Sequence, residues 1–280
     1  MRTIHVNEII ETVEKLCMHS NYYLNDDILE GFKNALVNEE SQRGIDILEK
    51  LIENAKLARE KEMAICQDTG MAVVFLDIGQ DVRIVGGNLE EAINEGVRRG
   101  YEKGFLRKSV VEDPIKRNNT NDNTPAVIHY NIIEGDKIKI SIAPKGFGSE
   151  NMSRLKMLKP SDGEEGIKKF IIDTVDKAGP NPCPPVVVGV GIGGTMEKAA
   201  VLAKKALIRP INKRSHLEHI RKIEEEVLDR INLLGIGPAG LGGTVTALAV
   251  NIEVFPTHIA GLPVAVNISC HATRHGEAVI

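Results

Sequence analysis

The chain has 280 residues, 42% of them apolar, which supports a sizeable buried core, and 35 basic against 39 acidic residues leave a net charge of −4. The charges are mixed along the chain, so no basic footprint for nucleic acid or an anionic membrane stands out. Small-molecule chemistry or protein partners are the expected roles.

The start, "MRTIHVNEIIETVEKL", interleaves charges every few residues and matches neither a signal peptide nor a transit sequence. No apolar run reaches the roughly 18 residues of a membrane helix. Four cysteines without a secretory signal suit a reducing compartment, so the cytoplasm is the expected location.

Helical spacing of Ile9, Ile10, Val13, Leu16 and Cys17, and again of Ile45, Leu48, Leu51, Ile52 and Ala55, predicts a helical layer over 1–62. "MAVVFLDIG" reads as a strand, and "NLEEAINEGVRRGYEKG" as a helix capped by Asn88, with Glu91 three residues on and Gly104 at its end. "LRKSVVEDPIKRNNTNDNTP" lacks periodicity and reads as a long ordered loop of the kind that is often functional. "AVIHYNII" and "KIKISIA" alternate around "EGD" and read as a hairpin, with His129 a strand or surface residue.

Beyond it, "EEGIKKFIIDTVDKAG", "TMEKAAVLAKKAL" and "SHLEHIRKIEEEVLDRINLLG" read as helices; "PVVVGV", "TALAVNIEVF" and "LPVAVNI" read as strands. The expected fold is mixed α/β in one domain over 1–280, a helical start followed by sheets flanked by helices, with glycine-rich strand-to-helix turns. "GIGGT" at Gly191 is echoed by "GLGGT" at Gly240.

"GVGIGG" satisfies G-x-G-x-x-G, but no second strand ending in an acidic residue follows, so a dinucleotide site is poorly supported. The weaker reading is a pair of turns whose backbone N–H groups suit an anion such as a carboxylate, or simply tight packing.

Cys17 falls on the apolar face of its helix and reads as a buried structural thiol. Cys66 precedes "QDTG", Cys183 lies in "NPCPP" and Cys270 in "SCHATRH", each at a turn or strand end. Their spacing does not match a zinc ribbon or a small ferredoxin. On spacing alone, three unrelated thiols remain open beside a convergent iron–sulfur site. Convergence would leave one iron of a cubane open as a Lewis acid, which suits hydration and dehydration chemistry.

"ICQDTG", "LRKSVVEDPIKRNNTNDNTPAVIHY", "APKGFGSENMSRLKMLKPSDG", "GPNPCPPVVVGVGIGGTMEKAAVLAKKAL", "GIGPAGLGGTVTALAV" and "THIAGLPVAVNISCHATRHG" follow one another over nearly the whole chain. In these segments it resembles the alpha subunit, or N-terminal domain, of the class I iron–sulfur fumarate hydratases and the closely similar L(+)-tartrate dehydratases. The resemblance implies that Cys66, Cys183 and Cys270 ligate a 4Fe-4S cluster whose fourth iron binds substrate. It implies that Gln67 and Asp68 contact substrate and relay protons, that Arg107 binds a substrate carboxylate, and that Lys145, Gly146 and Gly148 line the pocket. Single-chain relatives carry glycine where this sequence has Phe147. His271, Arg274 and His275 follow the third ligand and would either orient it or touch substrate, or else form a terminal polar segment at an interface.

The implied activity is reversible hydration of fumarate to (S)-malate, with tartrate dehydration as the alternative. A small dicarboxylate is the implied substrate. The implied partner is a fumarate hydratase beta subunit that completes the pocket and supplies the base, in a heterotetramer of two alpha and two beta chains. Rival readings are a non-catalytic iron–sulfur electron carrier, a nucleotide-dependent oxidoreductase and a scaffold with free thiols.

Overall fold

A computed structural model describes residues 2–280. β1 (Arg2–His5) leads directly into α1 (Val6–Tyr22), followed by α2 (Asp26–Asn38) and α3 (Gln42–Lys61). Then come β2 (Met71–Gly79), β3 (Val82–Val85), α4 (Leu89–Lys103), β4 (Val127–Ile133), β5 (Ile138–Lys145), the single turn α5 (Phe147–Glu150) and β6 (Arg154–Leu158). α6 (Gly163–Ala178), β7 (Val186–Gly193), α7 (Met196–Ala206), α8 (Glu218–Asn232), β8 (Ala247–Phe255), β9 (Leu262–Ser269) and β10 (Gly276–Val279) complete the chain. The fold is mixed α/β, as the periodicities predict. No helix among the described residues is long and apolar enough to cross a membrane.

The elements gather into two compact units, one of Met1–Asn25, Ala55–Phe147 and Arg274–Ile280, the other of Asp26–Asn54 and Gly148–Thr273. The helices expected over 1–62 are present, with α1 in the first unit and α2 in the second.

The first unit is built on a four-stranded sheet in the order β10-β5-β2-β4. Ala72, Val74 and Leu76 of β2 and Ile138, Ile140 and Ile142 of β5 are buried with Ile9, Val13 and Cys17 of α1 and with Ile93, Val97 and Tyr101 of α4. The helices approach closely because α4 presents glycine to α1: a Cβ on Gly96 would lie 2.6 Å from Val13, and one on Gly100 2.7 Å from Cys17. Asn88 caps α4 by accepting the Glu91 N–H at 3.0 Å, as its sequence predicts.

The expected hairpin does not form. β4 pairs in parallel with β2, and β5 pairs antiparallel with the other edge of β2, so β2 lies between them. The nine-residue, largely buried β2 takes the central place, and β4, exposed at five of its seven positions, is left at the sheet edge. Short-range alternation identified both strands, but pairing followed burial. The short strands β1, β3, β6 and β10 were not anticipated; β1 and β3 form a separate parallel pair.

The second unit has a four-stranded sheet in the order β6-β9-β7-β8. Val186, Val188, Val190 and Ile192 of β7 are buried with Ile167, Ile171 and Val175 of α6 and with Ile223, Val227 and Ile231 of α8. The opposite face of β7 meets α7, and here the glycines of "GVGIGG" find their use. A Cβ on Gly189 would lie 2.2 Å from the Ala203 carbonyl oxygen, and one on Gly191 2.0 Å from that of Ala199. The motif serves close packing of strand on helix.

Candidate functional site

In the first unit, Cys66, Gln67 and Asp68 lie on the loop joining α3 to β2. Gln67 is exposed, while Cys66 and Asp68 are half-buried. Asp68 is oriented by main-chain donors: Oδ1 accepts the Gly70 N–H at 3.0 Å and Oδ2 the Phe147 N–H at 2.9 Å. Phe147 thus does its work through its backbone, and its side chain is 48% exposed, which explains how a bulky residue is accommodated in a glycine-rich turn. Gly146 lies beside it, where a Cβ would come within 3.1 Å of Asp68 Oδ2.

The rest of the loop is fixed from several elements. The buried Tyr101 hydroxyl of α4 donates to the Thr69 carbonyl at 2.8 Å and the Gly70 carbonyl at 2.9 Å. Asn123, fully buried in the long loop, donates to the Gly70 carbonyl at 3.2 Å and accepts the Ser109 N–H at 2.7 Å. Gly70 adopts φ +77, and its Cβ would lie 2.7 Å from the Lys145 nitrogen, so no other residue fits. The Arg274 guanidinium donates to the Asp68 carbonyl.

Arg107 is tied to the same loop, its carbonyl accepting the Thr69 hydroxyl at 3.0 Å while its side chain is exposed. Lys145 ends β5 with its side chain buried and its Nζ donating to the Gly146 carbonyl at 3.2 Å. Burial pushes the Tyr101 phenol up, which keeps it a donor. Cys66, Gln67, Asp68, Arg107, Lys145 and Gly146 therefore all belong to one unit.

In the second unit, Cys183 tops a turn closed by its own N–H donating to the Pro180 carbonyl at 3.0 Å. It is exposed, with φ +54, a left-handed conformation that a residue before proline rarely adopts. Cys270 follows β9 and is half-buried. His271 links the two thiol segments, since its N–H donates to the Cys183 carbonyl at 3.2 Å and its Nδ1 lies 3.0 Å from the same oxygen. Gly148 lies in this unit too, and a Cβ there would come no nearer than 3.8 Å to the Asn181 carbonyl oxygen.

His275 exchanges two 3.1 Å hydrogen bonds with Asn25 and so anchors the terminal segment. His129 stacks on Phe75 at 4.9 Å within the sheet. Tyr101 and Asn123 were not singled out from sequence, because a tyrosine on an apolar helix face and an asparagine in a polar loop carry no distinguishing pattern.

The second glycine loop holds an anion supplied by the chain itself. Glu39 is buried, and its carboxylate accepts the N–H groups of Ser41, Thr244 and Val245 at 2.8–3.1 Å. Burial alone would raise its pKa, but the three backbone donors outweigh that and lower it.

Whether an iron–sulfur group would fit rests on the donors. None of the four cysteines is in a disulfide, and burial with the nearby Glu14 pushes Cys17 up to about 12, which leaves it inert. The remaining three stand at loops or strand ends, Cys66 and Cys270 half-buried and Cys183 exposed, and each offers the soft sulfur donor that iron–sulfur ligation takes. Among the described residues, no three His, Cys, Asp or Glu side chains gather to hold a single metal ion.

The family model for fumarate hydratase (Fumerase) matches residues 10–279. A protein of Methanocaldococcus jannaschii named "Putative L(+)-tartrate dehydratase subunit alpha" is 45% identical over 273 residues, covering 95% of each chain. The L(+)-tartrate dehydratase subunit alpha of Escherichia coli K12 is 32% identical over 278 residues, covering 98% of this chain and 91% of that one. Its counterpart in E. coli UTI89 is 33% identical over 274 residues, covering 97% and 90%. A match over almost the entire length shows that this chain belongs to the fumarate hydratase (Fumerase) family of hydro-lyases.

Proposed function

We propose that this chain is the alpha subunit of a two-subunit iron–sulfur hydro-lyase that interconverts fumarate and (S)-malate. The observation that carries the reading is Asp68, a carboxylate two residues from Cys66 with one main-chain N–H on each oxygen. A carboxylate offers about four lone-pair positions, so two remain for substrate or a proton in transit. Arg107, anchored beside it by Thr69, presents a planar fork suited to a substrate carboxylate. Gln67 would contact substrate from the same loop, and Lys145, Gly146 and Gly148 would shape the pocket wall.

Cys66, Cys183 and Cys270 would hold a 4Fe-4S cluster, and that group would supply a Lewis acid for the departing hydroxyl. Malate must also lose a weakly acidic carbon-bound proton, which needs a placed base and stabilisation of the developing charge. Asp68 would hold or relay that proton, and a beta subunit would complete the site, in keeping with the "subunit alpha" names of the relatives. The proposed assembly has two chains of each kind. A thiolate-held cluster requires a reducing compartment, so the proposed location is the cytoplasm.

Dehydration of L(+)-tartrate is the second reading, favoured by the names of those same relatives. Anaerobic reconstitution of the chain with its beta subunit tests both. We expect about four irons per alpha chain and faster turnover of fumarate than of tartrate, with no activity from the alpha chain alone. Faster tartrate turnover selects the second reading; a loaded pair inert on both substrates, or an active alpha chain alone, refutes the proposal. Asp68→Asn should lower kcat by about 10²-fold or more while iron content is retained.

A further inference from the structure

We infer that Glu39 is a positioning residue for Cys183, acting through the glycine loop 237–245. This rests on the reading above only in taking the Cys183 thiol to be functional. All the residues involved lie in the second unit.

The Cys183 turn combines a left-handed residue with a following proline, so its own sequence does not favour the conformation it adopts. Support comes from the loop 237–245: the Ala239 N–H donates to the Pro184 carbonyl at 2.8 Å. Gly240 lies so close to the turn that a Cβ there would come within 2.1 Å of Pro180 Cβ. The loop in turn is fastened at its far end by Glu39, whose two oxygens take the N–H groups of Thr244 and Val245. A Cβ on Gly243 would lie 2.4 Å from Glu39 Oε1, so the glycine leaves room for the carboxylate. The Thr244 hydroxyl donates to the Asn38 carbonyl at 3.0 Å, which ties the loop to the same end of α2.

A carboxylate at the end of a helix thus fills the anion-binding turn of "GLGGT", and the turn passes that constraint to the cysteine segment. A neutral amide in its place keeps the shape but sets an N–H₂ group against backbone donors.

Amide hydrogen exchange of the full chain tests this with wild type, Glu39→Gln and Glu39→Ala. Both variants should accelerate exchange at Ala239 and Cys183 by about tenfold or more, while amides of α6 and β9 keep their wild-type rates. If the alanine variant does not fold, the glutamine variant carries the test alone. Wild-type protection of Cys183 in the folded variants, or a uniform rise that includes α6 and β9, would overturn the inference. The measurement needs neither iron nor substrate, so an empty or inactive wild-type enzyme would count against the proposed function and leave this result standing.

Discussion

Cys17 and Cys183 carry the same thiol in opposite settings. Cys17 is buried on α1 with its thiol pushed up to about 12, and Cys183 is exposed on a proline-fenced turn. Iodoacetamide at pH 8 should therefore label Cys66, Cys183 and Cys270 in the native apo chain and leave Cys17 unmodified until the protein is denatured, as read by peptide mass spectrometry. Early labelling of Cys17 would contradict the burial that sets it apart. This division was legible in the sequence, because helical spacing places Cys17 among apolar residues and turn formers surround the others. The hold on Asp68 was not legible: its donors, Gly70 and Phe147, act through backbone N–H groups that every non-proline residue possesses.

At the scale of elements, the long loop 106–125 shows how a segment without periodicity is fixed by polar bonds. Asp122 accepts the Thr124 N–H and hydroxyl and the Arg98 guanidinium. Burial alone would raise its carboxyl, but these donors win and hold it at about 2. Because the folded value lies below the unfolded one, its stabilisation is present above about pH 4 and disappears as pH falls through about 2. Asp122→Asn should cost about 1–2 kcal/mol near neutral pH, with the gap from wild type closing between about pH 4 and 2 in denaturant titrations.

The β7–α7 contact makes a different demand. Gly191→Ala places a methyl against the Ala199 carbonyl and should cost about 2–3 kcal/mol, whereas Gly261→Ala, with only ordinary contacts near its Cβ, should change stability by less than about 0.5 kcal/mol. The glycines of β7 were visible as a motif; which helix would press on them was not. A similar signal in α4 and its C-cap, glycine at 96, 100 and 104, marks a face for close helix approach.

For the whole molecule, membership of the family followed from the order of motifs along the chain, and the expected mixed α/β architecture matches the structure. Periodicity and capping also located most helices and the longer strands, since those signals depend on neighbours a few residues apart. Strand order was decided only in three dimensions: β2 entered between β4 and β5, because burying its apolar face was worth more than the shortest connection. The two units likewise draw on separated segments, and Glu39 meets Thr244 from more than two hundred residues away. By itself the sequence determined the residue chemistry and the local elements. Only the tertiary structure decided which backbone donors orient Asp68 and which carboxylate fills the glycine loop, because such bonds depend on where the chain returns in space and leave no mark in side-chain identity.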